Sequence, residues 1–441
     1  VQDDGSVDCH PLLREYFARQ LRQKHPEAWR AAHRRVYAHL CATTKDLRRP
    51  TLEDLQPLYQ AVAHGCQAGL QQEAIQVYND RILRGGEHYA SRKLGAFGSE
   101  LGAQACFFER PWTRLAPGIA ESDQGWLLSE TAFCLGALGR LTEALEPMRA
   151  GLQMGVQAKD WKEAAIRAGN LSELELTLGE VAGAVGDAEQ SVSHADRSGD
   201  AFWKIGTRAK HADALHQSGH RAEAEARFRG AEQMQAERQP AYPLLYSIQG
   251  FLYCNLLLSE AERGAWQVIC NGALRPPEGG DAQRAALLAV SERAAQTLKW
   301  AGEEAAWQVS FSEAGDAHTA TLLWHSLAVP LENGLDHLTL GRAALYAAAL
   351  ESSRSDFRVP RSELDLAVNG LRRAGRMDHL PRGLLTRAWL RSLEGPRTGP
   401  ESAQSDLDEA LEIAGRGPMK LFMADIHLHR ARLFFREAQY P

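Results

Sequence analysis

One phrase recurs in this chain every forty residues. "ALGRLTEALEPM" (137 to 148) is followed by "TLGEVAGAVGDA" (177 to 188), "QSGHRAEAEARF" (217 to 228) and "LLSEAERGAWQV" (257 to 268). Across the four windows a turn residue stands at Gly139, Gly179, Gly219 and Ser259, and a small residue at Ala144, Ala184, Ala224 and Gly264. Glycine ends a helix in a left-handed conformation at little cost, and a small side chain early in the next helix lets two helices approach closely. Each unit therefore reads as a helical hairpin. A lone hairpin cannot bury its own apolar face, so such units have to stack, sharing one continuous core. Ala, Leu, Glu, Arg and Gln dominate, and apolar residues recur three and four apart, which predicts an all-helical chain. At 441 residues it is too long for one ordinary domain, and a repeat array accounts for the length.

The totals exclude several classes. Hydrophobic residues make up 44% and charged residues 24%, an ordinary globular balance that argues against disorder and against a membrane protein. No apolar run has the length to cross a bilayer and no export signal opens the chain, so a cytoplasmic location without membrane partners is expected. The net charge is -6, with arginine and glutamate interspersed, which predicts no nucleic-acid partner. Seven cysteines (Cys9, Cys41, Cys66, Cys106, Cys134, Cys254 and Cys270) lie scattered without C-x-x-C spacing. They read as reduced, mostly buried thiols rather than a disulfide framework or a zinc site, and no metal or cofactor is expected. The chain begins at Val1 rather than methionine and reads as a piece of something longer.

The small residues at the hairpin contact, with a larger apolar residue further along the second helix at Met148 and Phe228, resemble the tetratricopeptide repeat. The period exceeds that repeat's usual length of about 34, and Ala188 and Val268 depart from the pattern. Near the start, "HPLLREYF" (10 to 17) resembles the segment that closes the winged helix of STAND ATPases, the NACHT and NB-ARC signalling class. With "LQPLYQAVAHGCQAG" (55 to 69), "HADRSGDAFW" (194 to 203) and "DLDEALEIA" (406 to 414), the chain resembles the C-terminal tetratricopeptide-repeat segment of a bacterial STAND ATPase. The fold so implied is an all-α superhelix of helical hairpins, an α-solenoid, with a short winged-helix remnant or helical linker at the N-terminus. Residues 1–50 would be that remnant or linker, 51–120 a helical connector, 121–270 the regular repeats, and 271–441 degenerate repeats.

The resemblance also implies an ATPase and an effector upstream of Val1. No G-x-x-x-x-G-K-[ST] occurs here, so the family's ATPase residues have no counterparts and this segment is not expected to be an enzyme. Its implied role is that of a sensor and scaffold in bacterial, antiviral signalling. A protein trigger of phage or host origin would bind its concave face, and the full-length protein would oligomerise. An alternative is the inducer-sensing repeat domain of a LuxR-type transcription activator, which carries a DNA-binding helix-turn-helix after the repeats.

If first helices line the concave face, one row of it is Phe133, Glu173, Asp213 and Tyr253, each forty apart, with Leu176 and His216 one turn on. Its mixed acidic and aromatic character suits a peptide or protein partner. Beyond residue 270 the register degrades, and "NGALRPPEGGD" (271 to 281) reads as a loop. Helical pairs resume, with Ala388, Gly395, Ala403, Leu407 and Ala410 near hairpin positions around an insertion at 396 to 400. The final stretch from Leu421 reads as a first helix without its partner, its apolar side exposed.

"AHGC" (63 to 66) and "GAQACFFER" (102 to 110) have the look of the paired signatures of caspase-like proteases, a third reading. Phe107 and Phe108 stand where that motif needs glycine, and both segments have helical patterns, so Cys106 reads as core. In "DIHLH" (425 to 429), His427 and His429 are two apart and point to different helix faces, which does not suit a shared metal. Asp406, Asp408 and Glu409 read as an exposed helix face. The arginine-rich stretch 28 to 39 reads as a solvated helix, with His33 and His39 sharing no face.

Overall fold

The computed structural model describes residues 10–271, 280–311, 330–351, 361–395 and 398–434. Cys9, nearly all of the 271 to 281 loop and most of the 396 to 400 insertion's start lie outside the described residues. The chain is all-α and solenoid-like, with one short strand pair among the described residues. It divides into two compact units, Val1–Ala90 with Ser99–Gln124, and Ser91–Gly98 with Gly125–Pro441.

The first unit opens with α1 (Pro11–Lys24) and α2 (Pro26–Thr43), each begun by a proline whose missing N–H costs nothing in a first turn. His10 caps α1 by accepting from the Leu12 N–H. Then come α3 (Leu52–Gln67), started by a Thr51/Asp54 capping box, and α4 (Gln71–Val77), which runs into a π turn at Tyr78–Leu83. α5 (Tyr89–Leu94) and α6 (Phe97–Ala105), of which Ser91–Gly98 belongs to the second unit, lead to the antiparallel pair β1 (Phe108–Arg110) and β2 (Arg114–Leu115). Leu55, Leu58, Val62, Ile75 and Tyr78 form the core where α3 meets α2 and α4. Among the described residues up to the π turn this segment holds four helices, α1 to α4, with residues 44–51 running without regular structure between α2 and α3. Leu12, Leu13, Tyr16 and Phe17 on α1 are all exposed.

The second unit begins with three hairpins: α7 (Glu121–Ala137) with α8 (Leu141–Gln157), α9 (Trp161–Leu178) with α10 (Val181–Ser198), and α11 (Ala201–Gln217) with α12 (Arg221–Arg238). The turn glycines do what their spacing predicts: Gly139, Gly179 and Gly219 have φ of +78°, +84° and +87°. Ala144, Ala184 and Ala224 are fully buried at the contacts, as is Phe228, and Met148 is nearly so. Where α8 crosses α7, Gly151 sits so close to Ser129 that a Cβ would approach its hydroxyl to 2.6 Å.

The fourth window is different. Ser259 lies inside α13 (Ser247–Asn271), one continuous helix of 25 residues, so no hairpin turn occurs there. The left-handed cap needs glycine, and serine gives no comparable relief. Instead the Ser259 hydroxyl donates back to the Leu256 carbonyl at 2.8 Å, a helix-compatible bond. The chain goes on through α14 (Gly280–Phe311), α15 (Pro330–Glu351), α16 (Arg361–Arg373), α17 (Leu380–Glu394), α18 (Ala403–Arg416) and α19 (Lys420–Phe434). Ala388, Ala403, Leu407 and Ala410 are buried at the α17–α18 contact, whereas Gly395 is exposed and ends α17 in an extended conformation rather than a left-handed turn.

The unpartnered last helix is corrected as well. α19 packs on α9, α17 and α18, and its Phe422 and Ile426 are buried. Gly417 permits this return, because a Cβ there would overlap the Gly139 carbonyl oxygen. The Lys420 stem then lies beside Gly179. Among the described residues, no helix is long and apolar enough to cross a membrane.

Candidate ligand cavity

Three of the four row residues come together. Phe133, Glu173 and Asp213, with Leu176, border one small cavity of about 80 Å³, and the wall opposite is the chain's own segment carrying Arg376, His379 and Arg382. That segment is pinned where the Met377 N–H donates to the Ala137 carbonyl at 2.7 Å. The Arg376 guanidinium lies over the Phe133 ring at 5.1 Å and holds Asp378 through two bonds, of 2.8 and 2.6 Å. Glu173 pairs with Lys210 at 3.0 Å. Asp213 is buried, and burial pushes its carboxyl up to about 6 although Arg382 pulls the other way. Tyr253 is elsewhere: its ring stacks on Phe228 at 4.9 Å, with Arg293 on it at 5.0 Å. The expected row is thus partly covered by residues that follow α16: Asp213 is buried, while Phe133 and Glu173 are half-buried.

His216 faces a second, larger cavity of about 420 Å³, walled by the end of α11, the start of α12, and α13, α15, α17 and α19. Five arginines line it (Arg221, Arg263, Arg342, Arg382 and Arg432) against two carboxylates, Glu262 and Asp425. Arg342 is fully engaged. Its Nη2 donates to Glu262 at 2.9 Å, its Nη1 to the Asn255 side chain at 2.8 Å, and its Nε to the Tyr346 hydroxyl at 3.0 Å. Burial alone would weaken that cation, but Tyr346 and Glu262 hold it above its ordinary pKa. Arg221 and Arg263 reach Glu260 at 3.3 and 3.9 Å.

Arg382 and Arg432 differ, since neither has an ion pair among the described residues. Arg382 stands between the Phe251 and Phe422 rings, at 5.5 and 5.1 Å, and Arg432 lies over Trp266 at 4.9 Å. Burial lowers the Arg382 pKa, with only Asp213, Asp425 and Asp378 opposing. His216 is kept neutral at ordinary pH: burial, then Arg221, Arg342 and Arg263, bring it down to about 4. Burial and the nearby Glu262 raise Asp425 to about 6. Three buried polar atoms on the wall, Arg382 Nε, His216 Nδ1 and Trp266 Nε1, have no hydrogen-bond partner among the described residues. Such groups are costly unless something hydrogen-bonds them. A cavity with surplus guanidinium and orphaned donors is equipped to hold an anion. Among the described residues no cluster of His, Cys, Asp and Glu suits a metal ion.

The other sequence candidates are settled locally. His427 is exposed while His429 is buried, so the pair does face apart; what the spacing hid is that Asp425 and His429, four apart, share the face turned to the cavity. Asp406 is not on an exposed face, because it is buried and held by Arg387 and Arg391. Asp408 and Glu409 reach Arg430 and Arg372. Cys106 is half-buried just past α6, beside β1 rather than inside a helix. Burial pushes its thiol up, away from the lowered pKa of an activated nucleophile. His33 meets His64 across α2 and α3, ring nitrogens 2.7 Å apart.

Arg382 and Arg432 escaped sequence reasoning because each sits alone within an apolar helical pattern, "HLPRGLL" (379 to 385) and "HRARLFF" (429 to 435). Their one signal was a cation on the apolar stripe of a helix, where charges are rare unless they have a partner.

Comparison with protein-family models gives no match, and comparison with curated proteins gives none either.

Proposed function

We propose that this chain is the sensing module of a larger bacterial signalling ATPase of the STAND class, and that its trigger is recognised inside the second unit, between the helical hairpins and the returning helices α17 and α19. The observation that supports this reading is the cavity of about 420 Å³, within the usual size of small-molecule sites, whose walls come from six helices and carry two arginines, Arg382 and Arg432, without an ion pair among the described residues. A ligand there touches α11 and α13 on one side and α19 on the other, so binding shifts the population of the docked state of α19. An upstream ATPase would read that shift. The partly covered row favours a small inducer, the ligand type of the LuxR-like alternative, over a protein trigger.

A protein trigger of phage or host origin is the second reading. It rests on α19 itself, whose Leu428 is exposed and whose outer contact includes the solvent-exposed Lys420–Glu180 pair at 3.4 Å. Such a partner would displace α19 and then meet Phe133, Glu173 and Asp213. Hydrogen exchange separates the two readings. The chain is incubated with the small-molecule fraction or the protein fraction of a host extract. Protection of 376–393 and 420–434 by the first supports an inducer, whereas deprotection of 420–434 by the second supports a protein trigger. No change with either fraction, from infected or uninfected cells, overturns the sensing role.

A further inference from the structure

Resting on that cavity as the sensing site, the chemistry of its walls narrows the ligand class. The five lining arginines exceed the two lining carboxylates by three charges, and Glu260, just outside the lining, answers one of them through Arg221 and Arg263. The residue is a surplus of two, located where Arg382 and Arg432 lack ion partners among the described residues. A monocarboxylate would leave one of these half-buried cations unanswered. A phosphate monoester carries about two negative charges near neutral pH and three acceptor oxygens, and guanidinium forks match those oxygens two at a time.

The aromatic setting agrees. Phe251 and Phe422 flank Arg382, and Trp266 lies under Arg432, so each guanidinium is held by its face while its N–H edge remains for a ligand. Asp425 lines the same wall and Asp213 faces Arg382 from the smaller cavity; neither forms an ion pair among the described residues, so both guanidiniums are answered only in part. A lone oxyanion would not fill 420 Å³, and the remaining wall offers Asn255, Gln217 and Thr386 for hydroxyl or amide groups.

We propose that this cavity binds a small phosphorylated metabolite, its phosphate monoester held by Arg382 and Arg432 and its polar remainder by the α11 and α13 side.

The test is calorimetry and thermal shift on the whole chain in sulfate-free buffer. The probes are inorganic phosphate, glucose 6-phosphate and adenosine 5′-monophosphate, with glucose and adenosine as their dephosphorylated counterparts. At least one phosphorylated probe is expected to raise Tm and release heat where its counterpart does not. Arg382→Gln and Arg432→Gln should each weaken that binding by about tenfold or more, while Arg238→Gln, exposed on α12, leaves it unchanged. Should Arg382→Gln not fold, Arg432→Gln at the partly exposed end of the cavity carries the comparison. Binding of glucose or adenosine as tight as their phosphates, or equal binding by Arg432→Gln, overturns the oxyanion inference and leaves the sensing reading standing. Silence of every probe, with extract-induced protection of 420–434 still present, does the same. Silence of both experiments removes the two together.

Discussion

The indole rings of Trp266 and Trp389 stack with centroids 3.6 Å apart and planes 15° from parallel. One ring belongs to α13 and the other to α17. Tyr346 of α15 meets Trp389 at 5.2 Å, and His429 of α19 meets the Trp266 ring edge-on, also at 5.2 Å. Four helices from distant parts of the second unit are therefore joined by one aromatic cluster at the cavity wall. Trp389→Ala removes the member with most contacts and leaves a void that rigid helices cannot close. A loss of about 3–5 kcal/mol is expected in urea denaturation. A loss below about 1 kcal/mol would mean that the cluster is not a joint of the fold.

Gly417 and Gly219 separate two kinds of glycine. Gly219 has φ +87° with open space around it, so Gly219→Ala should cost only the backbone strain, about 1 kcal/mol. Gly417 has ordinary φ, but an added methyl group would overlap the Gly139 carbonyl oxygen. Gly417→Ala should therefore lift the start of α19 off the α7–α8 turn. Hydrogen exchange would rise across 420–434 and remain unchanged in α10 and α12. Equal exchange of 420–434 in both variants would show that this contact does not hold α19.

The contrast between these glycines also marks what the sequence revealed. Gly139, Gly179 and Gly219 announce their turns because a left-handed cap is a local property, and Ala144, Ala184 and Ala224 announce their contacts because close packing repeats with the period. Ser259 misled for the converse reason: the period persists there, but the residue that ends a helix does not, and α13 runs through. The covering of Phe133, Glu173 and Asp213 by the segment around Arg376 was invisible, since it joins residues more than 150 apart by a contact that no repeat encodes. Asp406 looked like surface charge for a related reason. Its partners Arg387 and Arg391 belong to the neighbouring helix, and burial of an acid is legible only when the answering cation is known.

Asp406 accepts from Arg387 twice, at 2.7 and 3.0 Å, and from Arg391 at 3.0 Å, and its side chain is 2% exposed. Removing it strands a buried guanidinium, so Asp406→Ala is expected to destabilise the chain by about 3–5 kcal/mol. The double variant Asp406→Leu with Arg387→Met removes both charges and keeps the volume. It should recover most of that loss, because desolvating the pair had consumed most of its attraction. A double-mutant cycle in urea measures the difference. Additive losses from the two sites would refute the pairing.

His379 sits beside Asp378, with its side chain 13% exposed. Burial brings its pKa down to about 3, Asp378 pulling it up and Arg376 and Arg382 pushing it further down. In the unfolded chain the same ring titrates near its ordinary 6.5. As pH falls below 6.5 the unfolded chain therefore takes up a proton that the folded chain refuses, and stability drops until the folded value near 3 is reached. Asp213 acts in the opposite sense. Its carboxyl, raised to about 6 from 3.8, lets the folded chain bind the extra proton over the interval between those values, and so stabilises it as pH falls. The His379 contribution is isolated by comparing wild type with His379→Gln at pH 7.5 and pH 5. Wild type should lose about 2 kcal/mol more than the variant between the two conditions, since 1.5 pH units at about 1.36 kcal/mol each lie below 6.5. Equal losses would mean that His379 is protonated in the folded chain, and that the segment covering Phe133, Glu173 and Asp213 is open to water.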